Sequence, residues 1–420
     1  MKTKTGSKKS ISFLLGVCST LQLLTIAGIN AFSIIALIYV LFKILSTRRL
    51  PIDRKSLLII LSLLLSLISN IFISNRLLPN ADQWKVSCIK SSAIFVIIVL
   101  SYVYMKHEND TVLKNFFRGV YYSCLIQLGW GYFQFIMYSL LSIDINQLIF
   151  VEWLHIFDVF ESFNTRGHFN VTGLNTNAGV LAPILLYLFF TTKKELIKVM
   201  ALLLLFISGN STNMICGLLV LAIFAVSLAQ KKNRINKHKL IMFSIIFLLF
   251  IVLIMFHQDI VDRILVIYKS LLDRLNSIRT LNWTEGSTFV HYRYYSSFPT
   301  IIASIGVLRV LFGFGFKCGG APFVIFYNQY PDTIYGTESD PISFLYGLGI
   351  FGLVIFYSIL IKIVMNGRKI DKAYAIYLSI ICIGGIFYSL QMNWLILIEL
   401  LFTETIRRKM KMSKLVEKTK

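Results

Sequence analysis

Apolar positions along this chain do not alternate with polar ones; they run together in long blocks separated by short basic linkers. The block LIMFSIIFLLFIVLIMF (240–256) carries no charge, and similar blocks recur from end to end. A helical bilayer crossing needs roughly 20 mostly apolar residues, and solid apolar runs exclude an outer-membrane barrel, whose strands alternate. The pattern predicts spans at 11–27, 30–46, 56–75, 91–106, 117–140, 174–191, 196–209, 212–229, 240–256, 342–362, 373–389 and 391–405. Ile11 to Leu45 is too long for the apolar part of a signal peptide and for a single crossing, so it reads as a helical hairpin turning near Gly28 and Asn30. The expected fold class is therefore all-α: a polytopic membrane helical bundle of about 12 transmembrane helices, forming a single integral membrane domain over 1–420.

Two connections are long, 141–173 and 257–341, and long loops in compact proteins usually carry function. In the second, Ile260, Ile264, Ile267, Leu271, Leu275 and Ile278 recur at helical spacing with charges on the other faces. That is an amphipathic helix suited to a membrane surface. FPTIIASIGVLRVLFG (298–313) is a second, shorter helical stretch.

Composition sharpens the solvent assignment: 56% of residues are hydrophobic and only 15% charged, well outside the soluble norm. The net charge of +22 sits in the linkers, in KTKTGSKK, STRRLPIDRK, TTKKELIK, KKNRINKHK, NGRKIDK and RRKMKMSK. This is the positive-inside pattern of cytoplasmic helix ends and not a nucleic-acid surface, so no nucleic acid is expected as a partner. It places both termini in the cytoplasm and both long loops outside. The cysteines, Cys18, Cys88, Cys124, Cys216, Cys318 and Cys382, show no metal or redox spacing and read as small core residues.

No phosphate-binding loop, dinucleotide fingerprint, zinc spacing or nucleophile elbow occurs, so neither metal nor cofactor is expected. What remains is polar residues on one side of the membrane. Arg166 lies in NTRGHFNVTGLNTNAG (164–179), where Glu161 or lipid headgroups would satisfy it as well as a phosphate would. Asn175 or Asn177 is placed to cap the following helix, whose free N–H groups favour an anion. Arg293 lies in HYRYYSSF, flanked by His291 and Tyr292, a composition that suits sugar stacking or an interfacial aromatic belt. Glu338 and Asp340 precede the glycine-interrupted span in YGTESDPISFLYGLGIFGLVIF, either as acids complementing a helix dipole or as proton acceptors. His168 sits near Arg166, and Tyr330, Asp332 and Tyr335 lie ahead of the acids.

The order of these features resembles the O-antigen polymerase and O-antigen ligase superfamily, over roughly residues 110 to 365. Arg-Gly and an Asn-rich helix start are followed by a helix pair broken at SGNSTN. Then come a large loop with an arginine about twenty residues before LFGFGF, and an acid ahead of GLGIFGL. The resemblance implies a membrane-embedded inverting glycosyltransferase acting on repeat units carried on undecaprenyl pyrophosphate at the outer face of the bacterial cell membrane. A flippase and a chain-length regulator are the implied protein partners. By the same resemblance Arg166 and Arg293 engage the pyrophosphate, and Glu338 or Asp340 is the catalytic base. Asn175, Asn177, His168, His291, Tyr292 and Tyr335 are candidate substrate-lining residues. Ligases of the superfamily carry a histidine where this chain has ESDP, which favours a polymerase. SGNST likewise replaces the family's SR-type motif, so no third arginine is expected there.

Overall fold

The computed structural model describes residues 2–21, 23–26, 29–74, 77–155, 169–175, 177–229, 265, 298–328, 337, 339–369, 371–387, 395–402, 404, 405 and 408. The predicted span 240–256 and nearly all of the predicted amphipathic helix at 260–278 lie outside them. The described chain is mostly helical, with one short two-stranded ladder of β1 (Thr25–Ile26) and β2 (Ile29–Asn30). Its helices are α1 (Lys2–Cys18), α2 (Ala31–Thr47), α3 (Arg54–Ile71), α4 (Ala81–Met105), α5 (Asp110–Leu141), α6 (Leu181–Thr191), α7 (Glu195–Ile207) and α8 (Ser211–Ala229). Short helices α9 (Phe298–Ser304), α10 (Val307–Phe312) and α11 (Ala321–Tyr327) follow, then α12 (Asp340–Gly367) and α13 (Lys372–Phe387). Residues 395–402 are also helical. The expected hairpin of two long helices is shorter than its apolar run: α1 stops at Cys18, and Asn30 caps α2 by accepting from Phe32 N at 2.8 Å.

Four helices, α3, α4, α5 and α12, are long and apolar enough to cross a membrane. Helix α3 shows the solvent most directly. Its buried positions include Ser62, Ser66, Ser69 and Asn70, while Leu57, Leu61, Leu64 and Ile68 are 40–55% exposed on the opposite face. In water each leucine left exposed would forgo about 1.5–3 kcal/mol of burial, and a surface helix would turn its serines outward. The reversed pattern belongs to a helix whose surroundings are as apolar as leucine. The buried serines satisfy themselves, Ser62 Oγ donating to Ile59 O at 2.8 Å and Ser66 Oγ to Leu63 O at 2.9 Å.

The described residues form two compact units. The first takes Met1–Ser19, Ile29–Val120 and Val290–Lys420, and the second Thr20–Gly28 and Tyr121–Phe289. In the first, α1 and α5 cross at Gly16 and Gly119, where a Cβ on either would lie 2.2 Å from a carbonyl oxygen of the other helix. Small residues permit such backbone approach between membrane helices. The basic end of this unit is tied by ion pairs. Buried Lys43 meets Glu108, Lys106 Nζ lies 2.7 Å from Asp53 Oδ2, and Arg408 spans Asp110 and Glu404.

Helix α12 is two helices. Gly349 has φ +70° and ψ −177°, and the halves fold toward each other there. Phe344 and Phe356 are twelve positions apart, about 18 Å along a straight helix. Their rings stack with centroids 4.1 Å apart. The predicted span 342–362 is thus broken, its membrane-length half beginning after Gly349. In the second unit the predicted span 174–191 starts helically only at Ala178, with a 3₁₀ turn (Ala178–Val180) leading into α6. A π-helical turn (Gln147–Trp153) opens the first long loop.

Candidate functional site

Arg166, His168, His291, Tyr292, Arg293, Tyr335 and Glu338 lie outside the described residues, as do Tyr330 and Asp332. Asn175 and Asn177 belong to the second unit and Asp340 to the first.

Asn175 and Asn177 sit in a non-helical segment, 169–177, held by amides of α5 and of the loop after it. Gln127 and Gln134 are seven apart and face the same side of α5. Gln127 Oε1 accepts from Leu174 N at 2.7 Å and Asn175 Nδ2 at 3.3 Å; Gln134 Oε1 accepts from Thr172 N at 3.1 Å and Gly173 N at 3.0 Å. Asn146 Nδ2 donates to Gly173 O at 2.7 Å, while its own oxygen accepts from Trp130 Nε1 at 2.8 Å. Irregular backbone in an apolar setting needs every polar group matched, and here side chains do what a helix would otherwise do internally. A Cβ on Gly173 would fall 2.4 Å from Gln127 Oε1, so glycine lets the amide reach the backbone.

The helix start also differs from the expectation of an open anion site. Asn177 Oδ1 accepts the Gly179 N–H at 2.8 Å, and Asn213 Nδ2 donates to Ala178 O at 2.8 Å. Asn175 does not cap; it binds Gln127 and Thr172 O. The side-chain oxygens of Asn170, Asn175 and Asn213 are buried and accept no hydrogen bond among the described residues. Such acceptors match water or the hydroxyls of a sugar.

In the first unit, the glycine loop FGFGFKCGG (312–320) is laid along the first half of α12. Because the helix breaks at Gly349, the carbonyls of Tyr346 and Gly347 lack their usual partners four residues on. They accept from Phe314 N at 2.7 Å and Gly315 N at 3.0 Å. From α3, Ser69 Oγ donates to Gly313 O at 2.6 Å, and Asn70 Nδ2 donates to Phe314 O. Backbone lies on backbone: a Cβ at Gly313 would meet Gly347 O at 2.4 Å, and one at Gly349 would meet Leu311 O at 2.2 Å.

Two charged residues occupy this platform. Asp340, 2% exposed, opens α12, where a carboxylate complements the helix dipole. Its Oδ2 lies against Gly385 of α13, where an added Cβ would come within 2.3 Å. Lys317, exposed on the loop, lies within electrostatic reach of Asp340 and over the Phe316 ring at 5.8 Å. It takes a left-handed φ of +65° in a loop with four glycines. Arg309 of α10 stacks over Phe314 at 5.7 Å, with a buried Nε that has no hydrogen-bond partner among the described residues. Cys382 of α13 lies within electrostatic reach of both Asp340 and Glu399, the latter 1% exposed.

Sequence reasoning passed over Lys317, Arg309, Gln127, Gln134 and Glu399. A usable signal existed for the last three, because an amide or acid inside an apolar run demands a partner. Lys317 had a weaker one, as the lysine of the glycine-rich stretch FGFGFKCGG. No protein-family model matches the chain, and no curated protein matches it.

Proposed function

We propose that the chain is a polymerase of lipid-linked polysaccharide repeat units, moving a growing chain from undecaprenyl pyrophosphate to the non-reducing end of an incoming lipid-linked unit. The observation that supports this best is buried Asp340 at the start of α12, with Lys317 of the glycine platform within electrostatic reach of it. Glycosyl transfer from a pyrophosphate needs a carboxylate to take the proton of the attacking hydroxyl. It also needs cations to stabilise charge building on the leaving group. Lys317 joins Arg166 and Arg293 in the second role; Glu338 or Asp340 takes the first. The topology that goes with this reading has about twelve crossings, cytoplasmic termini, and the platform at the outer face of a bacterial cell membrane. A flippase would supply the substrate and a chain-length regulator would limit the product.

The test is substitution in cells that make the polymer. Arg166→Ala and Arg293→Ala should each abolish polymer while the folded protein persists, and the lysine variants should recover part of it, since lysine keeps the charge but loses the paired geometry. Normal polymer from both alanine variants, or from a Glu338→Gln, Asp340→Asn double variant, would refute these assignments.

A second reading is supported by Glu399. A buried acid within an apolar helix is a feature of transporters, as are broken helices. A lipid-linked oligosaccharide flippase is that alternative. A ligase of the superfamily is disfavoured by ESDP in place of its histidine.

A further inference from the structure

Cys88 and Cys318 are 230 positions apart, a separation at which no sequence spacing hints at a pair. The fold brings them together. Cys88 lies on α4 one turn after Trp84, and Cys318 ends the stretch of glycine loop that carries Lys317. Both are fully buried and belong to one packed cluster. Each sulfur is further located by its neighbours. Cys318 Sγ donates to Trp84 O at 3.6 Å, one turn of α4 before Cys88, and Cys88 Sγ approaches Ser92 Oγ at 3.9 Å. Gly315 is what admits the Cys88 sulfur to the loop, since a Cβ there would lie 2.6 Å from it. All six cysteines are free thiols in this structure.

We propose that Cys88 and Cys318 are a disulfide-forming pair that fastens the glycine loop to α4. The reaction is a thiol–disulfide exchange with an organic disulfide RSSR. Local opening of the loop, which both buried sulfurs need to meet RSSR, lets one cysteine thiolate, its proton lost to solvent, attack a sulfur of RSSR and expel RS⁻, leaving a mixed disulfide. The second thiolate then attacks the protein sulfur and expels another RS⁻. Both leaving thiolates take up the released protons, so two thiols are oxidised to one disulfide as RSSR is reduced to two RSH. Two sulfurs packed at one turn of α4 must close to about 2.05 Å to bond. The bond would hold the backbone on which Lys317 sits, immediately before Cys318. This inference needs only the fold of the first unit and is independent of the polymerase reading.

The test uses the full-length wild-type protein in detergent, treated with oxidised glutathione, denatured, and alkylated without reductant. Of 6 cysteines, 2 should escape alkylation, leaving 4 modified. Peptide mapping should find the segment containing Cys88 joined to that containing Cys318, and reductant should restore full alkylation. Cys318→Ser should leave every remaining thiol, Cys88 included, open to alkylation or glutathionylation. Complete alkylation of oxidised wild type, or a disulfide joining any other cysteines, would overturn the proposal.

Discussion

Lys317 holds a φ of +65°, a region in which a side chain costs about 1–2 kcal/mol and glycine costs nothing. Four of the nine residues of that loop are glycine, whereas position 317 carries a side chain at a left-handed φ. Strain of this kind concentrates at functional sites. Lys317→Gly should therefore leave stability unchanged or raise it by up to ~1 kcal/mol, because relief of strain is partly offset by greater freedom of the unfolded chain. Transfer activity should fall sharply in the same protein, and Lys317→Arg should keep most of it. Thermal unfolding and polymer yield measured side by side check this. A glycine variant that is fully active would remove Lys317 from the site. Asp53 carries a second residue-scale prediction. Burial raises its carboxyl, but hydrogen bonds from Lys106 and Ser56 and the Lys106 charge outweigh that and hold it below the usual carboxylate range. A group whose folded value is depressed stabilises above its unfolded value of about 3.9 and loses that contribution as pH falls through the folded value. Wild type should thus exceed Asp53→Asn in melting temperature by a constant margin from neutral pH down to about 4. The margin should close below that. Asparagine still caps α3, so the comparison isolates the ion pair. A margin that widens on acidification would contradict the assignment.

At the scale of elements, the decisive feature is the break at Gly349. It turns one apolar run into a short half-helix and a membrane-length half, and it frees the two carbonyls that receive the glycine loop. Gly349→Ala places a Cβ 2.2 Å from Leu311 O at a φ of +70°, so backbone must move. A loss of about 2–4 kcal/mol is expected, with activity lost as the platform shifts. Equilibrium unfolding in detergent measures it, and a near-neutral result would mean the break is not built as described. Much of the helical layout was legible in the sequence. The predicted 56–75 and 373–389 lie close to α3 and α13, because apolar blocks bounded by basic linkers mark helices in lipid. The breaks were not legible. GLGIFGL and NVTGLNTN read as a helix interior and a helix start. What makes them otherwise is remote: Phe314 and Gly315 against one, Gln127, Gln134 and Asn146 against the other. Of the site, Asp340 was legible as an acid at a helix start, whereas its neighbours Lys317 and Gly385 were matters of tertiary contact alone.

For the whole molecule, polar groups are not spread evenly through an apolar protein. In the first unit, ion pairs gather where the basic linkers lie, and buried Asp340 opens the helix on which the glycine platform is laid. In the second, buried amides shape a non-helical segment just after the loop that carries Arg166. The most direct measurement is reconstitution of the purified protein in lipid vesicles with a short repeat unit on undecaprenyl pyrophosphate, without nucleotide sugar or added metal. Products separated by size should form a ladder of increasing repeat number, with release of one lipid pyrophosphate per linkage. Unchanged substrate moved across the bilayer, or a single transfer that never extends, would contradict the polymerase account.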